Sequence, residues 1–305
     1  MEFRAMESVL AIAETGSFSR AAEKLGYSQS ALTMQVKHLE SELGAQLFDR
    51  IPRGAVLTEE GRAFAAHARD ALDAAARAAA SVRDAAGAVG DADAVTGTLR
   101  IGAVESVAAT IVPELVARLH GIHPRVRVVL RTDRGERLAD AVREHELDVL
   151  LTLDRPLAAA GLERVALREE EVVFAASPGL LEAERIDCDE VLEPERLVRL
   201  PLVLTERGES YRRELERELS ERGLYLSPIV EAGSTDTLVR LAKQGVGAAF
   251  LPRFSVESAF RGGALLPLAV EIDPIRMQVQ LAYRKNSWPA RHLKTFIELV
   301  HEMLD

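Results

Sequence analysis

The strongest constraint on this 305-residue chain is a change of hydrophobic period between residues 87 and 97. Before it, apolar side chains recur every three or four residues, the helical period, and glycines cut the pattern into short pieces. After it, short apolar runs alternate with helical stretches, the pattern of α/β units. Between them GAVGDADAVTG is glycine-rich and short-chained, which reads as a flexible hinge. At 100 to 200 residues per domain, the length predicts about two or three folding units.

The first 44 residues predict three helices. Phe3, Met6, Leu10 and Ala13 form an apolar stripe that stops at Gly16. Ser17 or Ser19 can cap a second helix, Arg20 to Leu25, ended by Gly26; Ser28 can cap a third that runs to Leu43 and stops at Gly44. On this third helix Leu32, Val36, Leu39 and Leu43 share a face, whereas Gln29, Ser30, Thr33, Met34 and Lys37 lie off it. The short Gly26-Tyr27 turn gives the spacing of a helix-turn-helix, whose second helix enters the DNA major groove, although a plain helical bundle would use the same helices.

Residues 47 to 58 then hold two short apolar pieces around a Pro and Gly turn carrying Arg50 and Arg53, the signature of a hairpin wing. Thr58 caps a long alanine-rich helix from Glu59 to about Ala86. Its Phe64, Ala68, Ala71, Leu72, Ala75, Ala79 and Val82 make a narrow seam that wants a partner helix. Beyond the hinge, strands are expected at 99–102, 126–130, 148–153, 172–176, 202–205, 229–232, 248–251 and 277–283. Helices are expected near 106–120, 210–222 and 235–244, with a last one opened by Pro289, and the sheets should be largely parallel.

Charge narrows the function. Against 38 basic side chains stand 48 acidic ones, a net −10, so bulk coating of nucleic acid or anionic membrane is excluded while a local basic site is not. Residues 1 to 58 carry six Lys or Arg and seven Asp or Glu. A module this neutral makes few phosphate contacts, so firm DNA binding would need two or four copies held at fixed spacing. Glu2, Arg4, Glu7 and Glu14 interrupt any secretory signal, and no apolar run approaches the length of a membrane span, so a soluble protein of the cytoplasm is expected. The single cysteine, Cys188, precludes an intrachain disulfide; without a resolving partner, and with Asp187 and Asp189 disfavouring its thiolate, a redox-sensor role has little support.

The stretch GSFSRAAEKLGYSQSALTMQVKHLESELGAQLFDR at 16–50, followed by LTEEGRAF at 57–64, resembles the LysR-type transcriptional regulators. Helix spacing, the Leu-Phe-x-Arg entry to the wing and the Leu-Thr-x-x-Gly start of the linker all agree in order and distance, and the likeness extends over essentially the full length. The resemblance implies an α+α/β chain: a winged helix-turn-helix at 1–58, a long linker helix and hinge at 59–97 that dimerises, and a two-lobed α/β effector domain at 98–305 like type 2 periplasmic binding proteins. It further implies a homodimer commonly assembled into a homotetramer, promoter DNA and a small-molecule effector as partners, and RNA polymerase as a candidate protein partner. Regions 153–172 and 265–276 would form the crossovers between lobes.

On this reading Gln29, Ser30, Thr33, Met34 and Lys37 reach base edges and phosphates, and Arg50 and Arg53 reach the flanking backbone or minor groove. Gln29 has the geometry to pair with adenine and Met34 the apolar surface to meet a thymine methyl. Effectors of two-lobed α/β domains sit near strand ends and helix starts. That selects Glu105 and Ser106, Thr152, Thr205, Ser234 and Thr235, together with Tyr211 and Arg212, which resemble a pair seen at the cleft of some family members. The hydroxyls serve equally as helix caps, and Arg212 as a surface ion pair. Glu105 would oppose an anionic effector and favour an amino acid or amine. A solute-binding protein would need an export signal and has no use for residues 1–58, and the sequence holds no P-loop, GxSxG or HExxH motif. No enzyme activity, cofactor or metal is expected.

Overall fold

The computed structural model describes residues 2–51, 54–85, 95–156, 160–187, 189–285 and 291–304. Two compact units emerge: Met1–Val95 with Arg143–Glu146, and Thr96–Val142 with Leu147–Asp305. Cys188, Arg53 and Pro289, on which sequence expectations fell, lie outside the described residues.

The first unit runs α1 (Phe3–Thr15), α2 (Phe18–Leu25), α3 (Gln29–Leu43), β1 (Phe48–Ile51), β2 (Gly54–Leu57) and α4 (Glu59–Ala85). Gly16, Gly26 and Gly44 end the three short helices at φ of 64°, 72° and 68°, a left-handed turn that glycine adopts freely. The Ser17 hydroxyl accepts from the Arg20 N–H, so Ser17 is the cap and α2 begins two residues earlier than the sequence suggested; the Ser28 hydroxyl accepts from the Ala31 N–H at the start of α3. Val9, Ile12, Ala21, Leu32, Val36, Leu39 and Leu47 form the core. The buried face of α1 is therefore not the expected stripe: Met6 is buried, but Phe3 is 55% exposed, and Ala5, Val9 and Ile12 carry the packing. Both sets have helical spacing, and only contact with α2, α3 and α4 chooses between them.

The wing is an antiparallel hairpin with Phe48 opposite Leu57 and Ile51 opposite Gly54. Phe48 meets Phe18 of α2 edge-on at 5.6 Å between ring centroids. At the wing's exit the Thr58 hydroxyl donates to the Gln46 carbonyl at 2.7 Å and accepts from the Gly61 N–H at 2.9 Å, while the Thr58 N–H donates to the Leu47 carbonyl at 3.1 Å. A Cβ at Gly61 would overlap that same Leu47 carbonyl oxygen. The Leu-Thr-x-x-Gly pattern thus encodes a cap and a close backbone approach that only glycine permits. On α4, Phe64 packs against the core, Ala65 and Ala68 are buried, and Ala71, Leu72 and Ala75 are half-buried; the side chains of Ala79 and Val82 lie outside the described residues.

The second unit runs β3 (Gly97–Ala103), α5 (Glu105–Thr110), α6 (Val112–Ile122), β4 (Val126–Thr132), α7 (Gly135–Arg143), β5 (Val149–Asp154), β6 (Leu162–Ala176), α8 (Pro178–Ala183), β7 (Val191–Leu192), α9 (Pro194–Leu197) and β8 (Leu202–Leu204). It continues through α10 (Ser210–Ser220), β9 (Val230–Glu231), α11 (Thr235–Lys243), β10 (Ala248–Pro252), α12 (Arg253–Arg261), β11 (Leu266–Val270), β12 (Arg276–Arg284) and α13 (Arg291–Leu304). Hydrogen bonding links the strands in the order β4-β3-β5-β12-β6-β10-β8-β9, with β11 and β7 off that path. Strand β6 is shared: Leu162 to Glu171 pairs β12 in the first lobe, and Val172 to Ala176 pairs β10 and β11 in the second.

The largely parallel sheet expected from sequence needs correction. Strands β3, β4 and β5 are mutually parallel, as are β8, β9 and β10, but β6 and β12 run antiparallel to their neighbours on that path. The first ten residues of β6, LERVALREEE, are too charged to read as a buried strand. The single helix expected near 106–120 is two, separated at Ile111, two residues before Pro113, which cannot supply an N–H to a continuous helix. The terminal α13 packs on α6 and β3, returning the chain to the first lobe.

Arg212 is the largest fully buried side chain, 1% exposed. Its guanidinium donates to Glu216 at 2.8 Å, to Glu231 at 3.2 Å and to the Thr205 carbonyl at 3.2 Å. This corrects the expectation that Arg212 forks an effector carboxylate, because its donors are directed inward to protein acceptors.

Two outcomes follow for hydrogen exchange on the full chain. Gly61→Ala lowers protection of α1 to α3 by the equivalent of about 1–3 kcal/mol of overpacking while leaving β10 unchanged. Glu216→Ala combined with Glu231→Ala strands the buried guanidinium and lowers protection of α10 and β8 by up to about 3 kcal/mol, more than Arg212→Met does; partial exposure of both carboxylates keeps the loss below that of a fully buried pair.

Candidate DNA-reading face and effector cleft

α3 separates two chemistries along one helix. Leu32, Val36 and Leu39 are buried, and Gln29, Ser30, Met34 and Lys37 are exposed, Met34 at 72%. Thr33 is half-buried, and its hydroxyl donates back to the Gln29 carbonyl at 2.8 Å. The Gln29 side-chain oxygen accepts from the Ser19 hydroxyl at 2.9 Å, which ties the first residue of α3 to α2. Bidentate pairing of Gln29 with an adenine therefore shares that oxygen with Ser19 through its second lone pair. Leu43, expected on the buried stripe, is 41% exposed in the last turn. Sequence reasoning passed over Tyr27 and His38, both exposed beside this face. Arg50 stands in β1 opposite Ala55, with its side chain outside the described residues.

Within the second unit a small open cleft lies where β3, β5 and β8 end and α10 and α11 begin. Of the residues expected there, Glu105, Ser106, Thr205, Tyr211 and Thr235 line it. Val104, Leu153 and Gly233 also line it and were not foreseen, and Glu209 and Ser210, in the same strand-end run as Tyr211, line it too. Ser210 and Glu209 follow a strand at a helix start, the same signal that singled out Ser234, and were open to the same argument. Three expected residues lie elsewhere. Thr152 is 1% exposed with its hydroxyl buried and unpartnered, 3.3 Å from where a Cβ on Gly135 would stand. Ser234 caps α11, accepting from the Thr237 N–H at 3.3 Å, and Arg212 is held inward as described above.

Polar contacts of the protein itself span the cleft. The Glu105 carboxylate accepts from the Thr235 N–H at 2.7 Å, and the Ser210 hydroxyl donates to the Leu153 carbonyl at 2.8 Å. At the rim Arg134 approaches Glu209 at 3.9 Å. Burial pushes the Glu209 carboxyl above the usual carboxylate range, outweighing the opposing pull of Arg134, and does the same to Asp154 at the end of β5. Burial also drives the Tyr211 phenol well above its ordinary value. Its ring stacks edge-on against Phe250, 6.2 Å between centroids, so it forms a rigid wall. Among the described residues no group of three or more His, Cys, Asp or Glu can hold a metal ion, and no helix is long and apolar enough to cross a membrane.

Comparison with known proteins agrees with both halves. Residues 3–62 match the family model for the bacterial regulatory helix-turn-helix protein, lysR family, and residues 92–305 match that for the LysR substrate binding domain. The HTH-type transcriptional regulator YwqM of Bacillus subtilis strain 168 is 28% identical over 303 residues, covering 99% of each chain. A full-length OxyR variant from Pseudomonas aeruginosa has the same fold with a TM-score of 0.72 at 23% identity, covering 100% of this chain and 94% of that one. Full-length CbnR, solved in complex with its target DNA, gives a TM-score of 0.63 at 22% identity and 99% coverage of both chains. This chain belongs to the LysR family: it is a DNA-binding transcriptional regulator with an N-terminal helix-turn-helix and a C-terminal, two-lobed effector-binding domain.

Proposed function

We propose that α3 reads promoter DNA through Gln29, Ser30, Thr33, Met34 and Lys37, with Arg50 and Arg53 of the wing on the flanking backbone, and that a small molecule in the cleft modulates how that DNA is held. The observation that carries this reading is the division of α3: a buried Leu32, Val36 and Leu39 seam fixes the helix, and a polar face with one exposed methionine is left over. That face suits major-groove readout, which takes side-chain amides, hydroxyls and an apolar contact. The boundaries are a reader at 1–58, a linker at 59–97 and an effector domain at 98–305.

The near balance of charge in residues 1–58 supports an oligomer, because one reader head makes too few phosphate contacts to hold DNA at physiological salt. We place the dimer contact on α4, whose half-buried Ala71, Leu72 and Ala75 offer a small-residue face to a second copy, with a homotetramer as the full assembly and RNA polymerase as a candidate further partner. The relatives matched are transcriptional regulators, and the reading is of a non-catalytic protein of the cytoplasm.

A footprint on the DNA upstream of the protein's own gene tests the reader. A protected, roughly palindromic site is expected. Gln29→Ala should weaken it by about 1–3 kcal/mol and relax sequence preference, whereas Lys37→Ala should lower affinity evenly across sequences and reduce the salt slope by about 1. Genomic selection that recovers no preferred sequence would refute the reader assignment. Light scattering should show at least two copies per particle, and a monomer bound firmly to DNA would refute the dimer.

A further inference from the structure

We propose that the cleft binds a small organic cation, an alkylammonium or guanidinium head, through Glu209, Thr205 and Glu105. This rests on the reading of the cleft as the effector site. Among the residues that line it, Glu105 and Glu209 are the carboxylates, and none is Lys, Arg or His. The N-terminus of α11, where an anion would gain from free N–H groups, is already occupied by the protein: Thr235 N–H donates to Glu105 at 2.7 Å and Thr237 N–H to Ser234 at 3.3 Å. An amino acid would have to displace Glu105 to seat its carboxylate there. The amine alone has no such obstacle, which narrows the expectation drawn from sequence.

Thr205 supplies an independent observation. It lines the cleft, is 5% exposed, and its hydroxyl oxygen makes no hydrogen bond of ordinary geometry, although the Tyr211 phenol stands close enough to interact with it. A buried hydroxyl left this way is unfavourable unless a ligand satisfies it. An ammonium carries three donors and no acceptor. The Glu209 carboxylate and the Thr205 and Tyr211 hydroxyls all line the cleft and can each accept a hydrogen bond from an ammonium head. The desolvation that raises the Glu209 pKa, reinforced by neighbouring Glu206 and Glu105, is the penalty an arriving cation relieves.

The competing element is Arg134, whose guanidinium stands 3.9 Å from Glu209. It does not line the cleft, and its side chain is 52% exposed at the rim. If the cleft were an anion site, Arg134 would be its cation; if it is a cation site, Arg134 competes with the ligand for Glu209.

The test is calorimetric titration of the full-length protein, at matched ionic strength, with n-butylammonium, n-butylguanidinium and butyrate. At least one cation is expected to bind and butyrate not to. Glu209→Gln should weaken cation binding by about tenfold to a hundredfold, Thr205→Val by less, and Arg134→Gln should leave it equal or tighter. Melting curves of the unliganded variants establish that each is folded, and Thr205→Val, which preserves shape, carries the test should Glu209→Gln not fold. Binding of butyrate that is lost in Arg134→Gln, or binding of none of the three ions, overturns the proposal. Footprints with the same preparations separate the two readings: intact DNA protection with no cation binding removes this assignment alone, whereas a cation that binds the cleft without altering the footprint removes the effector reading beneath it.

Discussion

The pairing of β6 with β12 is the constraint on which the effector domain depends. Fifteen residues of one strand serve two lobes in succession, so the chain passes between them without an intervening loop. Ladder hydrogen bonds fix the register on both sides, with Leu162 opposite Arg284 at one end and Leu268 opposite Phe174 toward the other. The helix starts that face the cleft are thereby hung from a common strand pair.

Local chemistry was legible in the sequence wherever period and punctuation sufficed. The glycine stops, the serine caps, the buried seam of α3 and the strand-end position of the cleft all follow from the order of residue types. What could not be read was decided by non-local contact. The buried stripe of α1 was misassigned because two sets of residues share the helical spacing and only the neighbours choose between them. Two thirds of β6 was missed because its glutamates and arginines are tolerated by exposure and ion pairing, as with Arg276 and Glu169 across the ladder at 3.3 Å.

The site followed the same division. Glu105, Ser106, Thr205, Tyr211 and Thr235 could be placed from their positions at strand and helix ends. Thr152 could not, since whether a strand-end side chain faces a cleft or the next helix depends on packing. Arg212 could not either: an arginine on a highly charged helix reads as solvated, and burial between two glutamates becomes visible only when Glu231, nineteen residues away, is brought beside it. The carboxylates around the cleft are distant in sequence, and the electrostatic character of the site exists only once the sheet has assembled them.

The close approach of Gly61 to the Leu47 carbonyl has a consequence for modularity. The linker helix is not tethered to the reader through a pliable joint; its first turn is seated on the wing by Thr58 and by a glycine that admits no side chain. The natural seam for recombining heads and linkers is therefore not the end of the wing but beyond the first turn of α4. A transplanted head that carries its own Leu47, Thr58 and Gly61 brings its launch angle with it, and one severed between them inherits a direction set by neither parent.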